Sequence, residues 1–401
     1  MLRSPVMAEP TGPFRATRSG RNSFATSREP SGGYRNPMMT SRMGVALWAV
    51  FVLGCSSSSA TSDGGVADAG PASDATADSG DAMGGGDAGG ARTLTPLVDP
   101  QRANGLAVDA THVYWTDDLG FVAKCPVGGC NNTPTSIGGV DFSTTWGIAV
   151  DATNVYWAYT ATNGVAAIAK CPRSGCNGPP TTVASVPNAY LDAIAIDANN
   201  VYFTDRKSTS DPPSGGRILK CALAGCGSNP TVLVSGLDLP EDIAVDGTSV
   251  YWTNKLAGTV QKCAIGGCGG TPTTLASNQI SPVAIAVDAN NVYWTTTATV
   301  MKCASGGCGG APTALAMSQS MPSAIAVDAT HVYWTNTPQT PTGSSVAKCA
   351  IAGCNGAPTT IASAQSFASF ASATLLAVDG TAIYTNMIAN GDYSVVKVSP
   401  K

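Results

Sequence analysis

Short apolar runs alternate with turn-forming residues along most of this chain, and the alternation repeats. Between Ala324 and Ser363 the sequence reads AIAVDATHVYWTN, a loop, then VAKCAIAGCNGAPTTIAS. Four runs lie inside it: Ile325–Val327, Val332–Trp334, Val346–Cys349 and Thr359–Ala362. Each has strand length and is rich in Val, Ile, Thr or aromatics, and Gly, Pro, Asn, Asp or Ser separates it from the next. The apolar-Ala-apolar-Asp signature recurs at Asp109, Asp151, Asp197, Asp246, Asp288, Asp328 and Asp379, spaced 42, 46, 49, 42, 40 and 51 residues apart. Four residues after each Asp a second run begins, VYW in five copies, VYF at Val201 and IYT at Ile383. Periods of this size mark a repeat architecture.

Six units continue with Lys-Cys, a second Cys, then Pro-Thr, whereas the seventh stops at Lys401 one strand short. The missing strand is available at the other end, because Thr93–Val98 (TLTPLV) precedes the first unit as PTTLAS-type segments precede the others. The pattern therefore predicts an all-β, seven-bladed β-propeller of four-stranded blades over residues 93–401. An N-terminal strand completes the last blade, which leaves only short, protected edges. A solenoid is the alternative, but it has no use for a split closing blade. Tyr114-Trp115-Thr116-Asp117 in full, and Tyr202-Phe203-Thr204-Asp205 in part, resemble the YWTD and NHL class of propeller repeats. The departures are the blade number, since YWTD domains of that class have six, and the paired cysteines.

If the strands of a blade run from inside to outside, two of its four connections fall on each face of the disc. Asp to second strand is four residues in all seven units, and second Cys to Pro is four in all six. The length differences all fall in the other two connections, with the longest insertion at Asp205–Gly216 and another at Asn336–Ser345. One face is standardised and the other varied, and function on rigid scaffolds concentrates in such loops. Five residues before each repeat Asp stand Asn104, Trp146, Asp192, Glu241, Val283, Ser323 and Thr374, with Asp242 following Glu241. This column should lie near the mouth of the central channel. Trp146, Asp192, Glu241 and Asp242 are the candidate ligand patch, set against ordinary loop divergence among repeats.

Composition fits many strands and tight turns, with charged residues at 12%, Gly at 45 and Pro at 26. From Cys55 onward there are 15 Lys plus Arg against 24 Asp plus Glu, a balance of −9 with no basic patch, which excludes a general nucleic-acid binder. Thirteen cysteines resolve into Cys55 alone and six C-x4-C pairs: Cys125 and Cys130, Cys171 and Cys176, Cys221 and Cys226, Cys263 and Cys268, Cys303 and Cys308, Cys349 and Cys354. We read them as disulfides closing four-residue turns in an oxidising compartment, rather than zinc sites, which want four ligands with tighter spacing. Lys124, Lys170, Lys220, Lys262, Lys302, Lys348 and Lys397 recur once per blade. A cationic ring for an anionic ligand is one reading, and a repeated contact, snorkelling or paired with an Asp, is the one favoured. Each repeat Asp should fold an Asx-turn, with His112 and His331 as ordinary turn residues.

No Ser/His/Asp or Cys/His constellation, phosphate loop or metal-ligating His pair is present in the sequence, so no enzyme activity, metal or cofactor is assigned. Propeller lactonases hold Ca²⁺ with acidic and Asn ligands at the channel mouth. Glu241 with Asp192 or Asn104 imitates part of such a set, without a matching motif.

The N-terminus reads as an address. Val45–Leu53 (VALWAVFVL) has the length of a signal-peptide hydrophobic region, and Val52-Leu53-Gly54-Cys55 resembles the lipobox of bacterial lipoproteins. That resemblance implies lipidation at Cys55, and Ser56 after it implies sorting toward the outer membrane. Residues 1–37 look unlike a signal n-region, and translation is expected to start at Met38 or Met39. Residues 38–54 are then the signal peptide and residues 55–92 the lipidated Cys with a tether of Ser, Ala, Gly, Thr and Asp. The tether should be disordered, with a reach of roughly 30–35 Å. The expectation is a monomeric, lipid-anchored extracytoplasmic binding module for a protein or glycan. The alternatives are a structural surface protein without a dedicated ligand and a Ca²⁺-dependent lactonase-like propeller.

Overall fold

The computed structural model describes residues 92–98, 102–140, 144–206, 215–338, 344–364, 375–389 and 392–401. The signal segment, Cys55, the tether, Thr374 and most of the Asp205–Gly216 insertion lie outside them. The described residues form twenty-eight strands in seven antiparallel four-stranded sheets, the blades of a β-propeller. Blade 4 is typical: Pro240–Val245 is innermost, followed outward by Ser249–Asn254, Thr259–Ala264 and Thr273–Ala276. Successive innermost strands touch around the ring, and Ala103–Val108 meets Leu376–Val378 where it closes. The closing blade is split as expected. Thr93–Val98 pairs with Asp392–Ser399 in the register Thr93↔Ser399 and Pro96↔Val396.

The VYW run shows why these residues build blades. Successive side chains on a strand point to opposite faces. Val250 and Trp252 pack toward blade 3, against Tyr202, Ile218 and Leu233, while Tyr251 packs toward blade 5, against Val292 and Trp294. All seven such tyrosine and phenylalanine-flanking positions repeat the scheme, so the core is a set of seams between blades rather than one centre.

Six of the seven seams show a second tie of one kind. Lys Nζ of one blade donates to a backbone carbonyl two residues past the first Cys of the next. The bonds are Lys124 to Arg173 O at 2.6 Å, Lys170 to Leu223 at 2.6 Å, Lys220 to Ile265 at 2.8 Å, Lys262 to Ser305 at 2.6 Å, Lys302 to Ile351 at 2.8 Å and Lys397 to Val127 at 2.9 Å. These six lysines are thus structural, as one reading of the sequence had it, but their acceptors are carbonyls, where that reading offered snorkelling or an Asp. An ammonium on a carbonyl is a charge-assisted hydrogen bond, stronger than a neutral pair.

All six disulfides form, with Cα–Cα separations from 5.2 to 5.7 Å. They do not bridge facing strand positions, as a four-residue hairpin would require. Lys262 pairs with Thr273, so the connection spans the ten residues between them and the disulfide closes a smaller loop inside it. The second cysteine leans on the outer strand of the preceding blade. Cys130 Sγ lies 3.4 Å from Leu97 O, Cys308 Sγ 3.5 Å from Leu275 O and Cys354 Sγ 3.5 Å from Leu315 O.

The split blade predicts a test. Deleting Thr93–Val98 leaves Asp392–Ser399 with an unpaired edge, a template for pairing with another chain. The truncated propeller should melt at lower temperature and self-associate in light scattering. An unchanged melting temperature and a monomeric profile would remove this strand from the closure.

Candidate functional site

Five innermost strands carry a register break near their start, between Ala103 and Gly105, Thr145 and Ile148, Leu191 and Ile194, Pro240 and Ile243, and Pro322 and Ile325. Such bulges re-aim side chains at the ends of strands. Trp146, Asp192, Glu241 and Asp242 all fall within them, so the sequence column is a structural column. The next position faces the neighbouring inner strand closely. A Cβ on Gly147 would meet Asp192 O at 2.8 Å, and Ala193, Ala284 and Ala324 are the corresponding small residues.

Asp242 and Leu375 are the larger residues at that position, and Asp242 is the charged one. It is buried, and its two carboxylate oxygens accept from the backbone N–H of Ile243 and of Ile285 in the next blade, each at 2.8 Å. Burial pushes this carboxyl up to about 7, against the pull of those two donors. Both oxygens are engaged in joining blades 4 and 5.

Asp192 and Glu241 meet through a residue the sequence reading passed over. Arg206 Nη1 lies 2.7 Å from Asp192 Oδ2, and Nη2 lies 2.9 Å from Glu241 Oε2. Lys255 Nζ is 3.2 Å from Glu241 Oε1. The carboxylates are almost wholly buried, at 5% and 1% side-chain exposure, while Arg206 and Lys255 keep 18% and 33%. Burial pushes Asp192 up to about 6, with Arg206 opposing. Arg206 reaches both carboxylates, but only its contact with Asp192 is a hydrogen bond, and Glu241 Oε2 is compensated by the charge of the guanidinium alone.

Trp146 sits beside exposed Tyr190, ring centroids 6.0 Å apart and tilted by 47°. Arg206 N donates to Tyr190 O at 2.9 Å, and Tyr190 N donates to Asp205 Oδ1 at 3.0 Å. The site is therefore an aromatic pair and two cations at the surface, fixed from beneath by buried carboxylates. The space between Asp192 and Glu241 that a Ca²⁺ reading needs is filled by the Arg206 guanidinium. Asn104 lies apart in blade 1, its amide donating to Thr145 O at 3.1 Å. Among the described residues no group of three or more His, Cys, Asp or Glu is placed to hold a metal ion. His112 and His331, read from sequence as turn residues, are the first residues of second strands, each bonded to the preceding Thr111 or Thr330.

Tyr190, Arg206 and Lys255 were missed, yet two of them had a signal. Arg206 and Lys255 both stand five residues after the first residue of the VYW-type run, where other units have Asp118, Thr160, Thr297, Thr337 and Ile388. The basic residues occur in the same two blades as Asp192 and Glu241.

No protein-family model and no curated protein matches the chain. Solved structures match in fold. A streptogramin B lyase aligns at TM-score 0.57 and 11% identity, over 77% of this chain and 98% of its own. The WD40 β-propeller domain of Doa1 aligns at 0.53 and 9%, over 77% and 97%. Virginiamycin B lyase from Staphylococcus aureus aligns at 0.51 and 12%, over 77% and 99%. At these identities the likeness is one of fold alone.

The raised carboxyls give a pH signature. Folded Asp192 and Asp242 keep protons that an unfolded carboxyl loses near pH ~4, so the folded state binds more protons up to about 6 and about 7. Their contribution to stability falls as pH rises through that window. Asp192→Asn keeps an acceptor for Arg206 and removes one titration. Its urea stability should decline less steeply than that of the native chain between pH 4.5 and 7, and an equal slope would contradict the assignment.

Proposed function

We propose that this protein is a lipid-anchored extracytoplasmic β-propeller that binds a protein or glycan through its varied face, without catalysing a reaction on it. One observation carries the reading. Of the eight large hydrophobic side chains exposed among the described residues, Leu119, Tyr190, Leu256, Ile280, Met317 and Met321 lie in the varied connections and Phe121 opens the strand that follows one of them, whereas Val232 alone lies away from them. A chance scatter would not favour one set of loops so strongly, and exposed apolar groups gathered on one side mark interaction surfaces.

Six disulfides support an extracytoplasmic location, since such bonds persist in oxidising compartments. The lipid anchor at Cys55 and the outer-membrane or surface address rest on the lipobox-like VLGC and on Ser56. The YWTD-like affiliation rests on its repeat motifs. Two of the fold relatives are lyases, but here the mouth carboxylates are paired with Arg206 and Lys255 rather than poised beside an open reaction centre. That favours binding over catalysis, and a face with a dedicated apolar surface favours it over a merely structural ring.

Two measurements test this. Replacing Cys55 with Ser should move the protein from the membrane fraction to the soluble one and abolish acyl labelling. Retention of both would end the anchor assignment. For the binding face, the combined Trp146→Ala and Tyr190→Ala variant should weaken capture of envelope proteins or arrayed glycans about tenfold or more, as loss of aromatic anchors does. Val232→Asp, off that face, should leave capture unchanged. Equal effects from both variants would rule out a face-specific site.

A further inference from the structure

The loops of blades 4 to 6 on the varied face are joined into one continuous surface. Gln279 N donates to Gly258 O at 2.9 Å, Thr297 N to Ile280 O at 3.2 Å, Gln319 N to Ala298 O at 2.9 Å and Thr337 N to Ser320 O at 3.0 Å. Each loop between blades is thereby tied to the turn on either side of it. Two glutamines pin the surface from below. Gln279 Oε1 accepts from the indole N–H of Trp294 at 3.0 Å, and Gln319 Oε1 from that of Trp334 at 3.0 Å. The two loops also share their backbone, with φ near +57° at Asn278, +52° at Ser281, +56° at Ser318 and +51° at Met321. A left-handed Met is unusual, and such conformations survive only where surroundings over-determine them.

These pinned loops expose Leu256 at 60%, Ile280 at 71%, Met317 at 61% and Met321 at 42%. Residues 276–284, 295–299, 316–324 and 335–338 include no charged side chain. Fixed loops, large apolar side chains including Met, and depletion of charge are what the centre of a protein–protein interface requires. The charge at its edge is Lys255, next to Leu256 in sequence. Its ammonium has three donors, and the partner carboxylate of Glu241 lies buried beneath it. An arriving molecule meets the cation before the carboxylate.

Resting on the binding-module reading above, we infer that this arc docks a polypeptide segment that places apolar side chains on Leu256, Ile280, Met317 and Met321 and an acidic side chain against Lys255. A glycan fits the aromatic pair at Trp146 and Tyr190 better than it fits this arc, because Ile and Met tips offer a sugar no hydrogen bonds. The fixed loops mean that little ordering opposes binding.

The test is to pan a random peptide library, displayed on phage, against the purified mature chain. Selected peptides should carry an Asp or Glu among apolar residues. Their synthetic forms should bind at least tenfold more weakly to Ile280→Asp, and Lys255→Gln should abolish the preference for the acidic peptide over its amide counterpart. Met317→Ser is a milder second variant, and unchanged melting temperatures in both variants separate lost docking from lost folding. Peptides that bind the native chain and both arc variants alike overturn the proposal, as does selection of basic rather than acidic sequences. If no peptide is selected while a glycan array gives a Trp146- and Tyr190-dependent signal, this inference fails and the binding-module reading stands. If neither library nor array yields a ligand, both fail.

Discussion

The structure depends most on a hydrogen bond repeated in every blade, between the repeat aspartate and a tyrosine five residues later. Asp109, Asp151, Asp197, Asp246, Asp288, Asp328 and Asp379 each accept a tyrosine hydroxyl on Oδ2, at 2.6 to 2.9 Å. The other oxygen accepts two backbone N–H groups of the turn, as from Thr248 and Ser249 onto Asp246. One carboxylate thus closes the turn and fixes the phase of the second strand. Burial would raise the Asp109 carboxyl, but bonds from Thr111, Tyr114 and His112 outweigh it and hold it at about 2. With the phase fixed, Val and Trp must face one neighbour and Tyr the other, and the seams follow.

The seams then decide where freedom remains. Lysine-to-carbonyl bonds and disulfide loops tie blades to their neighbours at six seams, on the side of the aspartate turns and cysteine connections. Extra ties occur there too: Arg173 reaches the Asp109–Tyr114 pair of blade 1, and Lys401 pairs with Asp328 in blade 6. Lengthening a loop on that side would break contacts made by every copy. The opposite connections lack the lysine and disulfide ties among the described residues and are joined by loop backbone bonds such as Gln279 N to Gly258 O, and insertions, bulged carboxylates and exposed apolar residues accumulate there. The division between a fixed and a varied face is a mechanical consequence of the seam chemistry, and the proposed binding surface lies on the varied one.

Much of this was legible in the sequence because it repeats. Seven aspartates at fixed distance from an aromatic run specify blades and turns, and an incomplete last unit with a spare TLTPLV specifies closure. The lysines were legible as structural but not in their acceptors, since a backbone carbonyl leaves no mark in sequence. The bulge that gathers Trp146, Asp192, Glu241 and Asp242 was visible only as a column of unlike residues. Arg206 escaped because its partners come from two blades, 14 residues before it and 35 after it in sequence. The C-x4-C loops misled in geometry because spacing alone does not say which strand positions pair, and the ten-residue connection appears only with the register.

Whether the aspartate–tyrosine bond holds each blade in phase is decided by a double-mutant cycle at Asp288 and Tyr293. If the bond holds the phase, Tyr293→Phe should cost about 1–2 kcal/mol in the native background, as a partly exposed hydrogen bond to a charged group does. In the Asp288→Ala background the same change should cost little, leaving a coupling energy of about 1 kcal/mol or more. If Tyr293→Phe is neutral, or the two substitutions add without coupling, the bond is incidental and the phase of the blades is set by apolar packing alone.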